Sequence, residues 1–194
     1  MSRYDFLIET YRTERLKTLS LWAQVPDARF DDRLEPRARS PHEHMVHQCV
    51  SEDMWMRTMF GISVTDAPLP AEETRRAFIA HYARASDERL LQLASKHHAW
   101  FEAETAFFDV TRSRAWIFTR RLTHSAHHRA QLQTCLRAWG VPLYSNYGPT
   151  ADTGGLAANG ATVIYRAESV DALLTDVTPP ELPGPDHKPA TERP

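Results

Sequence analysis

The sequence predicts an all-α protein, a four-helix bundle with an irregular C-terminal extension. Three observations carry that expectation: four long segments with apolar residues at helical spacing, capping signals that bracket them, and no run of strand-like alternation. With 194 residues and 42% hydrophobic content, the chain can build one domain with a sizeable core and does not demand a second.

The first helix is expected over residues 3–23, where Tyr4, Leu7, Ile8, Tyr11, Leu19 and Trp22 recur at helical intervals before Pro26 and an Asp- and Arg-rich connection. The second opens at Ser40-Pro41-His42-Glu43, a hydroxyl N-cap with proline at the first position and glutamate at the third, and it stops at Gly61. On it, His47 shares a stripe with Val50, Ser51, Met54 and Thr58 that should face inward. A turn region with Pro68 and Pro70 follows, and then a helical pattern from about Glu72 that extends, with a break, to Phe108. The fourth helix spans about Arg112 to Trp139, ended by Gly140 and Pro142. These helices define a bundle over residues 1–140. Residues 141–178 form an irregular extension expected to dock on it through an extended piece at Thr162–Tyr165 and a helical turn at Val170–Leu174. Six prolines within residues 179–194 mark a tail that cannot form a core and is expected to be disordered.

Charge and composition exclude several classes of function. Lys and Arg number 23 against 25 Asp and Glu, for a formal net charge of -2, so no global basic field favours nucleic acid. Arg112, Arg114, Arg120 and Arg121 spread around a helix and read as solvated or ion-paired. The early charges Arg3, Asp5, Glu9 and Arg12 leave no apolar signal segment, and no run is long enough to span a membrane. Two cysteines, Cys49 and Cys135, are too few for a disulfide framework and fit a reduced, cytoplasmic protein. Cys135 follows His128 by seven residues on one helix face, and a packed small apolar residue is its expected role.

Among ten histidines, His124 and His128 stand out, because imidazoles at i and i+4 share a helix face and can converge on one ion. Catalytic sites for zinc-like ions take three protein ligands and leave one position open, so a third must come from another helix. His47 is the candidate, preferred over His44 because its stripe is more apolar. His128 is preferred over His127 because i+4 aligns better with His124 than i+3. His42, His81, His97, His98 and His187 have no convergent partner and read as ordinary surface residues. Glu52 and Asp53 lie off the His47 face and read as solvent-exposed charges. Arg129 runs in line with Leu122, Ser125, Leu132 and Leu136, so it requires an ion pair to another helix; anion binding is the second reading. Gln131, three residues past His128, is placed to hydrogen-bond a ligating ring.

With Met45-Val46-His47-Gln48-Cys49-Val50-Ser51-Glu52-Asp53-Met54-Trp55 followed much later by His124-x-x-x-His128-Arg129-x-Gln131, residues 1–140 resemble the DinB, or DNA-damage-inducible, family of metal-dependent proteins. That name reports a gene-expression context, not chemistry. The resemblance implies a four-helix bundle in which one histidine of the second helix and two of the fourth hold a divalent metal, here His47, His124 and His128. The segment Tyr147–Gly155 also resembles a feature of some members. Three neutral imidazoles without an obligatory carboxylate suit zinc, nickel, iron or copper; zinc or nickel is the expectation, with iron third. Relatives include transferases and isomerases that use low-molecular-weight thiols such as bacillithiol, mycothiol or glutathione, and the resemblance implies thiol transfer on a small-molecule substrate. It also implies a homodimer, for which Trp22, Trp55 and Trp100 offer surplus apolar material. Metal-assisted hydrolysis, a non-catalytic metal-binding stress-response module, and a bundle whose histidines bind no metal are the alternatives.

Overall fold

The computed structural model describes residues 3–155 and 157–184. Its elements in chain order are α1 (Asp5–Trp22), α2 (Pro41–Phe60), α3 (Arg75–Ala94), a short α4 (His98–Glu102), a hairpin of β1 (Glu104–Phe107) and β2 (Val110–Ser113), α5 (Arg114–Ala138) and α6 (Val170–Leu174). The four long helices α1, α2, α3 and α5 form the bundle, with α1 packed on α3 and α5, and α2 on α5 and α3.

The start and stop signals of α2 act as their chemistry dictates. Ser40 accepts from the Glu43 backbone amide at 3.2 Å, while the Glu43 carboxylate accepts from the Ser40 amide at 2.9 Å. Gly61 closes the helix at φ 63°, a left-handed conformation that a side chain disfavours. Ser113 caps α5 in the same way, accepting from the Trp116 amide.

The core is built from two clusters. One gathers Leu7, Tyr11, Met56, Phe101, Ile117 and Phe118, and the other Leu19, Trp22, Met45, Phe78, Leu132 and Leu136. The face of α2 that enters them is Met45, Cys49, Glu52, Met56 and Met59, not the stripe through Val50 and Thr58, both of which are exposed. His47 sits on the neighbouring, half-buried face that meets α5.

The third helical segment is shorter than its pattern suggested. It ends at Ala94, and the stretch to Phe108 holds α4 and a strand instead. Phe107 pairs with Val110 across a two-residue turn in which Phe108 takes φ 54°. Phe107 and Phe108 continue the apolar spacing of the third segment, but the run Phe107-Phe108-Asp109-Val110-Thr111 is rich in residues that favour strands and folds as the hairpin.

The extension lies against the bundle. Leu143, Ser145, Asn146 and Thr153 are buried, and Ser145 exchanges hydrogen bonds with the backbone of Ile164. The Tyr144 hydroxyl donates to the Pro180 carbonyl, while residues 185–194, with most of the Pro-rich tail and His187, lie outside the described residues. Trp22 and Trp55 are buried within the chain itself, so they do not supply an interface. The exposed aromatics are Phe6, Phe108, Trp116, Tyr147 and Tyr165. Among the described residues, no helix is long and apolar enough to cross a membrane.

Candidate metal centre

Packing α2 against α5 brings three imidazoles together. The Nε2 of His124 lies 3.1 Å from that of His128 and 3.5 Å from that of His47, and ligand atoms from all three rings lie within 4.8 Å of one another. A tetrahedral ion with metal–nitrogen bonds of about 2.0–2.1 Å separates neighbouring donors by about 3.3 Å, so the two short edges have the length such an ion requires. His44 and His127 stay outside this cluster. His44 meets His128 only edge-on, with ring centroids 5.6 Å apart, and His127 is exposed.

The rings are held as neutral bases. Burial, the Arg121 guanidinium and the neighbouring His47 pull His124 down to about 4, and burial with the adjacent histidines pulls His128 down to about 3. His47 is lowered by burial, then by Arg39 and Arg121. Neutral imidazoles at pH 7 are the form that ligates.

The outer nitrogens have distinct partners. Nδ1–H of His128 donates to the Gln131 side-chain carbonyl at 2.9 Å, which leaves its Nε2 lone pair facing the cluster. Nδ1 of His124 accepts instead from Arg121 Nη1 at 3.0 Å. Since a guanidinium only donates, this places the neutral ring's proton on Nε2, pointed at the other two rings. Ligation through that nitrogen therefore requires the proton to leave and Arg121 to rely on its other partners, Ser51 Oγ at 2.9 Å, Gln48 Oε1 at 2.9 Å and Glu52 Oε2 at 3.0 Å.

Glu52 corrects the expectation of a solvated charge. Its carboxylate is fully buried and accepts from Tyr11 at 2.5 Å, Tyr82 at 2.7 Å, Arg89 at 3.2 Å and Arg121. Burial alone would raise its pKa, but Arg121 and Arg89 outweigh that and hold it below the ordinary carboxylate range. Asp53 is also buried, beside Arg89 and Arg57. Arg121, expected as solvated or paired, is paired and buried. It links the carboxylate to His124. His42 and His81 likewise have partners: His42 lies between Asp31 and Glu73, and His81 is buried against the Pro68 carbonyl.

Arg129 turns away from the histidines. It bonds the Glu14 carboxylate, Thr18 Oγ1 at 3.0 Å and the Tyr147 hydroxyl, an ion pair to another helix that the extension closes over. On the other flank, Trp55 stacks on the His124 ring with centroids 5.7 Å apart and planes 12° from parallel. Phe107 and Phe108 of the hairpin meet Trp55 edge-on, so an aromatic wall borders the centre.

The DinB family model matches residues 1–154, most of the sequence and all three imidazoles. The chain belongs to the DinB family. Among solved structures, a DinB-like protein from Bacillus cereus ATCC 10987 superposes with a TM-score of 0.61 at 14% identity, covering 72% of this chain and 95% of that one. The likeness extends the DinB assignment to the fold. No curated protein matches the chain. The DinB match ends at residue 154, so the segment that carries Tyr165, Arg166 and α6 lies beyond it.

Proposed function

We propose that His47, His124 and His128 hold one divalent ion, zinc or nickel with iron as the third choice, and that the protein is a metal-dependent transferase for a low-molecular-weight thiol and a small-molecule acceptor. The observation that carries this reading is the convergence of three neutral imidazoles, two of whose Nε2–Nε2 separations match the edge of a tetrahedron, with no fourth donor in the group among the described residues. An ion held there supplies Lewis acidity at its open position, which favours the thiolate form of a bound thiol near neutral pH.

Thiol transfer suits these residues better than hydrolysis. A hydrolase of this kind is helped by a general base at the open position, whereas Glu52, the buried acid linked to His124 through Arg121, already accepts from four donors. Trp55 and the hairpin aromatics give the centre one apolar flank, on which the apolar part of an acceptor can pack. Gln131 orients His128 with its Nε2 lone pair toward the cluster, while Arg121 must release Nδ1 of His124 for that ring to ligate through Nε2. A homodimer in the cytoplasm, with no nucleic-acid or membrane partner, completes the proposal.

Elemental analysis of tag-free protein tests it first. Close to one metal per chain is expected, lost in His124→Ala and His128→Ala and kept in the exposed His97→Ala. A conjugation panel of bacillithiol, mycothiol and glutathione tests the second step. Stoichiometric metal without turnover favours the non-catalytic metal-binding module, and equal metal content in wild type and both α5 variants removes the chemical basis of the proposal.

A further inference from the structure

A cavity of about 570 Å³ lies where the C-terminal extension crosses the start of α3, lined by none of the three clustered histidines. Its volume falls within the usual range for small-molecule sites. Its apolar lining includes Ile79, Leu173 and Val177. The charged lining is three arginines and one acid: Arg75, Arg76, Arg166 and Asp176.

The charges do not balance. Arg75 is held by Asp27, with Nε 2.7 Å from Oδ1, and by the Ala23 carbonyl at 3.0 Å. Arg76 pairs with Asp176 at 3.1 Å. Arg166 makes neither a hydrogen bond nor an ion pair among the described residues; its guanidinium carbon lies 5.9 Å from the centre of the Tyr144 ring. Half-buried, it is also pushed below its ordinary pKa by burial, with Arg75 adding to the shift and Tyr144 and Asp176 opposing it. One guanidinium is therefore left over, partly desolvated and next to a second cation, at the edge of an apolar recess.

We propose that this cavity is a second binding site, for an amphipathic monocarboxylate. The carboxylate takes the planar fork of Arg166, a pairing that a guanidinium makes bidentately. The hydrocarbon part lies on Ile79, Leu173 and Val177. A single negative charge matches the single surplus positive one, because Asp27 and Asp176 already answer Arg75 and Arg76.

Isothermal titration of the full chain with octanoate, octylammonium and octanol tests the site. Octanoate is expected to bind saturably, octanol at least tenfold more weakly and octylammonium not at all. Arg166→Ala should weaken octanoate at least tenfold, Arg166→Lys less, and Ile79→Asp strongly, with circular dichroism showing each variant helical. Because a carboxylate can also ligate a metal, His128→Ala is the control and should bind octanoate as wild type does. Absence of binding by the full chain, binding indifferent to Arg166→Ala, or binding lost in His128→Ala would each overturn the proposal; the first two leave the histidine centre untouched, and the third would move the octanoate to it.

Discussion

Replacing Glu52 by glutamine keeps the shape of the side chain and removes its charge, which makes it a direct probe of the buried network behind the histidines. Glu52 has 0% side-chain exposure, and its two cationic partners, Arg121 and Arg89, have 1% and 3%. Breaking a buried ion pair from one side costs about 3–5 kcal/mol, because the stranded charge keeps its desolvation penalty and loses its compensation. The two tyrosine hydrogen bonds add little to that figure, since an amide oxygen still accepts from Tyr11 or Tyr82 and a neutral hydrogen bond is worth about 1 kcal/mol net. For a chain of this length each kcal/mol moves Tm by about 2–4 °C, so Glu52→Gln should melt roughly 6–20 °C below wild type. Urea denaturation at pH 7, followed by circular dichroism, gives the free energy directly. The charge argument makes a second demand: Arg89→Met added to Glu52→Gln removes a cation whose remaining ion pair is its longer, 3.8 Å contact to Asp53, which Arg57 also meets, and should recover at least about 1 kcal/mol. A Glu52→Gln variant within about 1 kcal/mol of wild type, or a double variant weaker than the single one, would refute the reasoning.

Gln131→Leu removes the acceptor that fixes the His128 ring and should weaken metal affinity about 10–100-fold with little loss of helicity, read by competition with a chromogenic chelator. The metal-free protein should lose stability as pH falls below about 6.5, the ordinary imidazole value, because His44, His124 and His128 resist protonation down to about 3–4 while the unfolded chain takes the protons up. The loss should approach about 2.5 kcal/mol for a fully shielded imidazole at pH 4.5 and be smaller for the half-buried His124, measured by urea titration, and a pH-independent stability between 7 and 4.5 would contradict the assigned burial. Tyr147→Phe deletes the hydroxyl that bridges Arg129 and Glu14 and should cost about 1 kcal/mol while leaving metal content unchanged. Light scattering at micromolar concentration should give a dimer; a strict monomer would reject that part of the proposal.

Signals that act over a few residues were legible from the sequence. The box at Ser40–Glu43, the stop at Gly61 and the i, i+4 imidazoles of α5 each depend on neighbours within one or two helical turns, and the structure keeps all three. What escaped depends on partners from different helices. Glu52 receives Tyr11 from α1, Tyr82 and Arg89 from α3 and Arg121 from α5, and no window along α2 contains any of them. A trace of it was present: Met45, Cys49, Glu52, Met56 and Met59 recur at helical spacing, and the most apolar stripe of α2 therefore carried an acid at its middle. Such an acid must find cations, and Arg89 and Arg121 lie on helices that a bundle places nearby. The hairpin failed for the opposite reason. Its aromatic residues fit a helix and a strand equally well, and Phe108 occupies a left-handed turn position where the usual glycine or asparagine signal is missing. The two misses meet at the histidines: Arg121 reaches His124 from the buried side, Trp55 covers it, and Phe107 and Phe108 pack on Trp55. The imidazole pair of α5 was thus readable on its own helix, while the stripe that favours His47 over His44 is one the structure leaves partly exposed, and the surroundings that set protonation and orientation exist only once four helices and a hairpin have closed around the rings.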